Sequence, residues 1–147
     1  MNPESLRRLD LTRLRRGHYL ATNVRGGTLS IGSGDDAEFT PVELLLAAIA
    51  ACSAIDVDFI TSKRAEPERF EVRSTGHKIR DERGNRMVEL AMDFDVLFGD
   101  DEDGRRAEEV LVRSVRQSHD RLCTVTRTLE MGEPVSVSVR GEPLESA

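Results

Sequence analysis

An α+β fold with an antiparallel sheet is predicted by three features of the sequence. A long apolar segment from Thr40 to Ile60 opens with helix-start chemistry, two strand-like segments lie between Phe70 and Phe98, and an amphipathic stretch runs from Ala107 to Leu122. Strand signals precede the first of these segments, and a last short strand follows the third, an order that suits helices packed on an antiparallel sheet. The 147 residues fit one domain spanning 1–147, with no internal repeat and no Pro/Gly/Ser linker to divide it.

His18 to Val24 and Thr28 to Ile31 resemble short strands around the turn Arg25-Gly26-Gly27, and the chain up to Phe39 reads as a small meander. Thr40 as N-cap, Pro41 at the first helical position and Glu43 three residues after the cap make a capping box. The helix they start is expected to reach Lys63 or Arg64, before Pro67. Apolar residues surround it for three turns, so it is expected to be a long buried central helix, covered by a partner subunit as well as by its own sheet.

Phe70 to Ile79 and Arg86 to Phe98 follow, joined by the turn Asp81 to Asn85. Val88, Leu90, Met92, Phe94, Val96 and Phe98 alternate with mostly polar residues, the period of a sheet with one buried face. After the acidic loop GDDEDG, a second helix places Ala107, Val110, Leu111, Ser114, Val115, Ser118 and Leu122 on one face. Cys123 comes just beyond its last turn. A helical turn from Thr124 to Leu129 and a strand with Val135, Val137 and Val139 facing one way complete the chain.

The net charge of −6 and the scattering of basic residues among acids speak against a nucleic-acid partner. The exception, Arg7, Arg8, Arg13, Arg15 and Arg16, reads as a solvated edge. Met1 to Thr12 contains no apolar segment of the signal-peptide kind. The longest apolar run, Leu44 to Ile55, is 12 residues counting Ser53, short of the roughly 20 that span a bilayer. A cytoplasmic protein with no membrane partner is expected.

Two cysteines in a reducing compartment, at a spacing that fits no zinc motif, are either buried hydrophobes or a transient redox pair. A thiol that reduces a peroxide must become a thiolate, and a second thiol must then capture the sulfenic acid. Cys52 lies too far along its helix for that helix's own dipole to act on it, so activation is expected from a cation elsewhere. Asp56, one turn after Cys52, would raise the thiol pKa when ionised unless an Arg pairs with it. His119 and Cys123 stand at i and i+4, a spacing that a metal or a base–thiol pair could use, but no further ligands have usable spacing and a solvated His at a helix end is the favoured reading of His119.

These segments resemble the OsmC/Ohr family of stress-response proteins, many of which are thiol-dependent organic hydroperoxide reductases. The resemblance runs from about His18 to Val139 and is most specific in TPVELLLAAIAACSAIDV, with a second match in Leu122-Cys123-Thr124-Val125. It implies an OsmC-like fold in an intertwined homodimer. It also implies Cys52 as the peroxidatic cysteine, Cys123 as the resolving one and Arg25, in NVRGG, as the arginine that stabilises the thiolate. No cofactor is implied, only an external dithiol reductant. The characterised peroxidases carry a glutamate immediately after the proline, where this chain has Val42. Glu43, at about 100° per residue, faces nearly opposite Cys52, and the chain is closer to a divergent OsmC-like branch.

The expected function is thus reduction of organic hydroperoxides in oxidative-stress defence, with Leu45, Ile49 and Phe59 favouring lipid-like or aryl substrates. The alternatives are a non-enzymatic dimer that binds a small apolar ligand or senses redox state, and a structural dimer with inert cysteines.

Overall fold

The computed structural model describes residues 1–145, which form two compact units, Met1–Ala48 and Ile49 onward. In the first unit, β1 (Leu9–Arg15), β2 (His18–Asn23) and β3 (Thr28–Ile31) form an antiparallel meander in that order. The meander expected up to Phe39 is present; its first strand, β1, had no bounds in the sequence because its arginines obscure the alternation of Leu9 and Leu11. Every residue of β1 is exposed and, among the described residues, it pairs with β2 alone, so Arg13 and Arg15 do lie on a solvated edge.

The turn from β2 to β3 is held by the Asn23 side chain, whose Oδ1 accepts the N–H groups of Arg25 (3.0 Å) and Gly27 (2.9 Å). Gly26 there has φ +89°, a conformation that side-chain-bearing residues resist. The loop after β3 is closed by the Gly32 N–H donating to the Phe39 carbonyl at 3.0 Å. His18, largely buried at the start of β2, sits 3.3 Å from Asp36 and 3.9 Å from Asp35 of this loop.

Helix α1 (Pro41–Thr61) starts as its capping box requires: the Thr40 N–H donates to Glu43 Oε1 (2.9 Å) and the Glu43 N–H to Thr40 Oγ1 (3.2 Å). It ends two residues before Lys63, where Thr61 Oγ1 donates back to the Val57 carbonyl (3.0 Å) and the Arg64 N–H closes a tight turn on the Thr61 carbonyl (3.0 Å). By length and composition alone α1 is long and apolar enough to cross a membrane, a test that the core helix of a soluble protein also passes. Ser53 and Asp56 on it are nevertheless engaged by Ser118 of the second unit's own helical segment. Within a single chain α1 buries one stripe, Ile49, Ser53, Val57 and Thr61, at four-residue steps. Ile55 and Phe59 stay exposed.

The second unit continues with β4 (Arg69–Asp81) and β5 (Gly84–Leu97), an antiparallel pair with Glu82 and Arg83 at its tip. Its register sets Phe70 opposite Val96 and Val72 opposite Phe94, with the rings of Phe70 and Phe94 edge to face at 6.2 Å. Arg69 grips Asp95 with two hydrogen bonds of 2.9 and 3.0 Å. The alternation expected along β5 is interrupted by a bulge: Thr75 pairs with Ala91 but His77 pairs with Val88, leaving Glu89 at φ +52°. Gly76 faces this bulge because a Cβ there would meet Leu90 Cδ2 at 2.8 Å. The extra residue shifts the alternation for the residues before it, and Leu90 beside it is exposed.

Asp101 caps α2 (Glu102–Gln117) by accepting the Gly104 N–H at 2.7 Å. Its buried face, Ala107, Val110 and Ser114, is the one expected, while Leu122 is exposed. The chain then widens into a π-turn, Ser118–Leu122, before α3 (Thr124–Met131), which stops at Gly132 in the left-handed region with φ +72°. The strand expected over Val135 to Val139 is reduced to β6 (Ser138–Val139), paired with β7 (Glu142–Pro143). Val135, Val137 and Val139 are all exposed, because no long strand of the described residues lies beside them.

Candidate active site

The two cysteines, remote in sequence, meet at the start of α3. Cys123 is that helix's N-cap: its sulfur accepts the Thr126 N–H at 3.4 Å and its thiol donates to Thr126 Oγ1 at 3.3 Å. It is fully buried, Cys52 is half-buried, and both are free thiols. Cys52 is near enough to Cys123 and to the backbone N–H groups of Val125 and Thr124 for all three to act on its titration.

Opposing influences act on Cys52. Burial pushes its thiol pKa up most strongly, the Val125 N–H pulls it down, Cys123 pushes it up and the Thr124 N–H pulls it down. The net direction is up, so at neutral pH the resting form is the thiol. The sequence pointed to a cation as the source of thiolate stabilisation. The influences that lower it come instead from the first two amides of α3, at the positive end of that helix's dipole. The signal for this was a cysteine directly before the helical segment Thr124 to Leu129.

Arg25 lies in the other compact unit, at the exposed turn between β2 and β3. Glu43 is committed to the helix start, and the Thr40 N–H holds its carboxyl below the ordinary range. His119 is solvated, as one reading of the sequence had it. Its Nδ1 meets Asp120 (2.9 Å) and its Nε2 meets Glu130 (3.1 Å), so both ring nitrogens face carboxylates and not Cys123. The hydrogen bond to Asp120, then that to Glu130, raises its pKa against the opposing effect of partial burial.

Among the described residues no arginine pairs with Asp56; it accepts the Ser118 hydroxyl at 2.8 Å. Ser118 Oγ in turn lies 2.8 Å from Ser53 Oγ. The sequence reading placed Ser118 on the apolar face of α2 without asking what would satisfy it there. A hydroxyl on a buried face requires a partner, and that requirement was the available signal.

Beside the cysteines is an open cleft of about 770 Å³ with Ile49, Met92, Phe94, Leu111, Val115 and Leu129 among its apolar walls and Arg116 and His119 among its polar ones. Thr126, which bonds Cys123, also lines it. Ile49 lines this cleft, whereas Phe59 is not among the residues lining it and is 69% exposed in the single chain.

Comparison with known proteins agrees with this architecture. Residues 33–138 match the family model described as OsmC-like protein. An uncharacterized protein of Mycobacterium tuberculosis (strain ATCC 25618 / H37Rv) is 32% identical over 123 residues, covering 82% of this chain and 87% of that one. A hypothetical protein from Aquifex aeolicus VF5 superposes with a TM-score of 0.70 at 20% identity, over 87% of this chain and 89% of that one. The fold is also shared with a Legionella pneumophila protein described as an organic hydroperoxide resistance protein OsmC, predicted redox protein, regulator of sulfide bond formation. That match has a TM-score of 0.58 at 17% identity and covers 87% and 91% of the two chains. With the matched model extending from the loop before α1 to β6 and so including both cysteines, the chain belongs to the OsmC-like protein family.

Proposed function

We propose that this protein is a thiol-dependent peroxidase that reduces organic hydroperoxides in oxidative-stress defence. The observation that carries the reading is that Cys123, the N-cap of α3, and the N–H groups of Thr124 and Val125 at the start of that helix all act on the Cys52 thiol. Cys52 loses its proton, and the thiolate attacks the distal oxygen of the hydroperoxide. The O–O bond breaks, the alkoxide takes up a proton and leaves as the alcohol, and Cys52 becomes a sulfenic acid. The Cys123 sulfur, after giving up its proton, attacks Cys52, the S–O bond breaks, water leaves and a disulfide forms. A dithiol reductant returns two electrons and two protons and restores both thiols.

In this scheme the Val125 and Thr124 amides stabilise the thiolate against the burial that opposes it, and Arg25 is the proposed cation that orients the peroxide. The apolar cleft beside Thr126 favours an alkyl or aryl substituent over hydrogen peroxide. The working unit is proposed to be a cytoplasmic homodimer, since Ile55 and Phe59 of α1 and the valines preceding β6 are exposed in one chain. Neither a nucleic acid nor a membrane enters the scheme.

Consumption of cumene hydroperoxide in the presence of dithiothreitol tests it. Wild-type protein is expected to turn over, Cys52→Ser to lose turnover entirely, and equal rates for the two would refute the peroxidase reading. A second reading, a redox-sensing or ligand-binding module of the same fold, is favoured by the raised Cys52 pKa. It predicts slow stoichiometric oxidation of the wild type without turnover.

A further inference from the structure

Ser118 is the joint of a buried polar chain that touches the surroundings of both cysteines. Its single hydroxyl proton goes to Asp56 Oδ2 at 2.8 Å, so the hydrogen bond of 2.8 Å to Ser53 must be donated by Ser53. Its carbonyl accepts the Cys123 N–H, also at 2.8 Å. Ser53 follows Cys52 directly and Asp56 lies one helical turn after it. One residue is thereby bonded to the side chains of the residue next to Cys52 and of the residue one turn after it, and to the backbone of Cys123. Ser53 and Ser118 are fully buried, where a misplaced hydroxyl is costly and a satisfied network specifies a single arrangement.

The π-turn makes this arrangement consequential. Ser118 to Cys123 is an i to i+5 hydrogen bond, where an α-helical register would send the Cys123 N–H to His119. Slipping by that one residue rotates Cys123 by about 100° and carries its thiol away from Cys52. It also moves the N–H groups of Thr124 and Val125 that act on the Cys52 thiol. A π-turn is a rare and strained insertion that persists where its surroundings hold it. Here what holds it is the Ser53 and Asp56 grip on its first residue.

We propose that Ser53, Ser118 and Asp56 are positioning residues that lock the π-turn in the register that opposes the two thiols, and so set how readily the pair forms a disulfide. The proposal rests on the reading of Cys52 and Cys123 as the reacting pair, but not on the peroxide as their oxidant. The network touches neither sulfur through a side chain. It acts through the backbone.

The test is equilibration of the reduced protein with oxidised and reduced glutathione, which gives the effective concentration of one thiol at the other. Oxidised glutathione takes the two electrons and two protons as the protein disulfide forms. Ser118→Ala and Asp56→Ala are each expected to lower that effective concentration about tenfold or more, the factor that one lost hydrogen bond of this kind supplies. Asp56→Asn, which keeps an acceptor oxygen, is expected to retain most of it. In a Cys123→Ser background the same alanine variants are expected to shift the pH profile of Cys52 alkylation upward, because the α3 amides no longer reach the sulfur. A role confined to stability would move neither readout.

Asp56 is only partly buried, so Asp56→Ala keeps the test available where Ser118→Ala does not fold. Wild-type effective concentration in folded Asp56→Ala and Ser118→Ala overturns the proposal whatever the peroxide turnover. A wild-type disulfide that weakens in these variants sustains it even where cumene hydroperoxide is not consumed. Absence of any disulfide in the wild type sinks the relay and the peroxidase together.

Discussion

Cys123 and Thr126 are bonded twice: the sulfur accepts the Thr126 backbone N–H at 3.4 Å while the thiol donates to Thr126 Oγ1 at 3.3 Å. One side chain therefore serves as helix cap and as half of the thiol pair, and the two roles are separable by substitution. Serine is among the preferred N-caps whereas alanine is not. Reduced Cys123→Ser is expected to unfold in urea within about 1 kcal/mol of the wild type, and Cys123→Ala to lose roughly 1 kcal/mol more. Both variants should retain a sulfenic acid on Cys52 after one equivalent of hydroperoxide, visible by mass spectrometry as a single added oxygen. Equal stability of the two variants would remove the cap from the account.

Burial and the neighbouring thiol hold Cys52 above the ordinary cysteine value of about 8.5. Its rate of alkylation by iodoacetamide is expected to climb through neutral pH and level off only above that value. Replacing Cys123 by serine takes away one of the upward influences, so the midpoint should move down. A profile unchanged by Cys123→Ser would mean that the two sulfurs do not sense one another.

His119 links the π-turn to α3 through Asp120 and Glu130, and those carboxylates raise its pKa. For a group raised on folding, the stabilisation is complete below the unfolded value, near 6.5, and is lost as pH rises through the higher folded value. The ring is about half exposed, so the effect is small and screened by salt. Comparing urea midpoints of wild type and His119→Gln should show their difference shrinking from pH 6 to pH 9. A difference that widens with pH would reverse the sign of this linkage.

How much of this was legible in the sequence depends on the range of the interaction concerned. The Thr40–Glu43 capping box, the start of α1 and the amphipathic face of α2 involve neighbours within a few residues, and all were read from the chain alone. The bulge at Glu89 was not, because it depends on Gly76 across the strand pair. Cys52 and Cys123 were identified as a possible pair. What activates Cys52 was not, since the amides of Thr124 and Val125 belong to every sequence and become donors to a particular sulfur only through the fold. The serine and aspartate of the relay are individually unremarkable residue types. Only their apposition makes Ser118 a joint.

The same contrast between local and long-range information applies to the outer face of α1. The sequence shows apolar residues around the whole helix, and one chain covers a single stripe of them, leaving Phe59 at 69% and Ile55 at 52% exposure. Fully burying side chains of this size yields about 1.5–3 kcal/mol each, so an uncovered pair is a strong incentive for association. A second copy of the chain is the proposed cover, and sedimentation velocity across a dilution series checks it. Wild-type protein is expected to sediment as a dimer. Phe59→Asp and Ile55→Asp, which place a carboxylate where apolar contact is required, should each weaken the dimer by about tenfold or more. Because neither residue is buried in the single chain, the far-ultraviolet circular dichroism of the variants should match that of the wild type. Wild-type protein that remains monomeric at high micromolar concentration would leave α1 to some other partner and remove the dimer from the proposed mechanism.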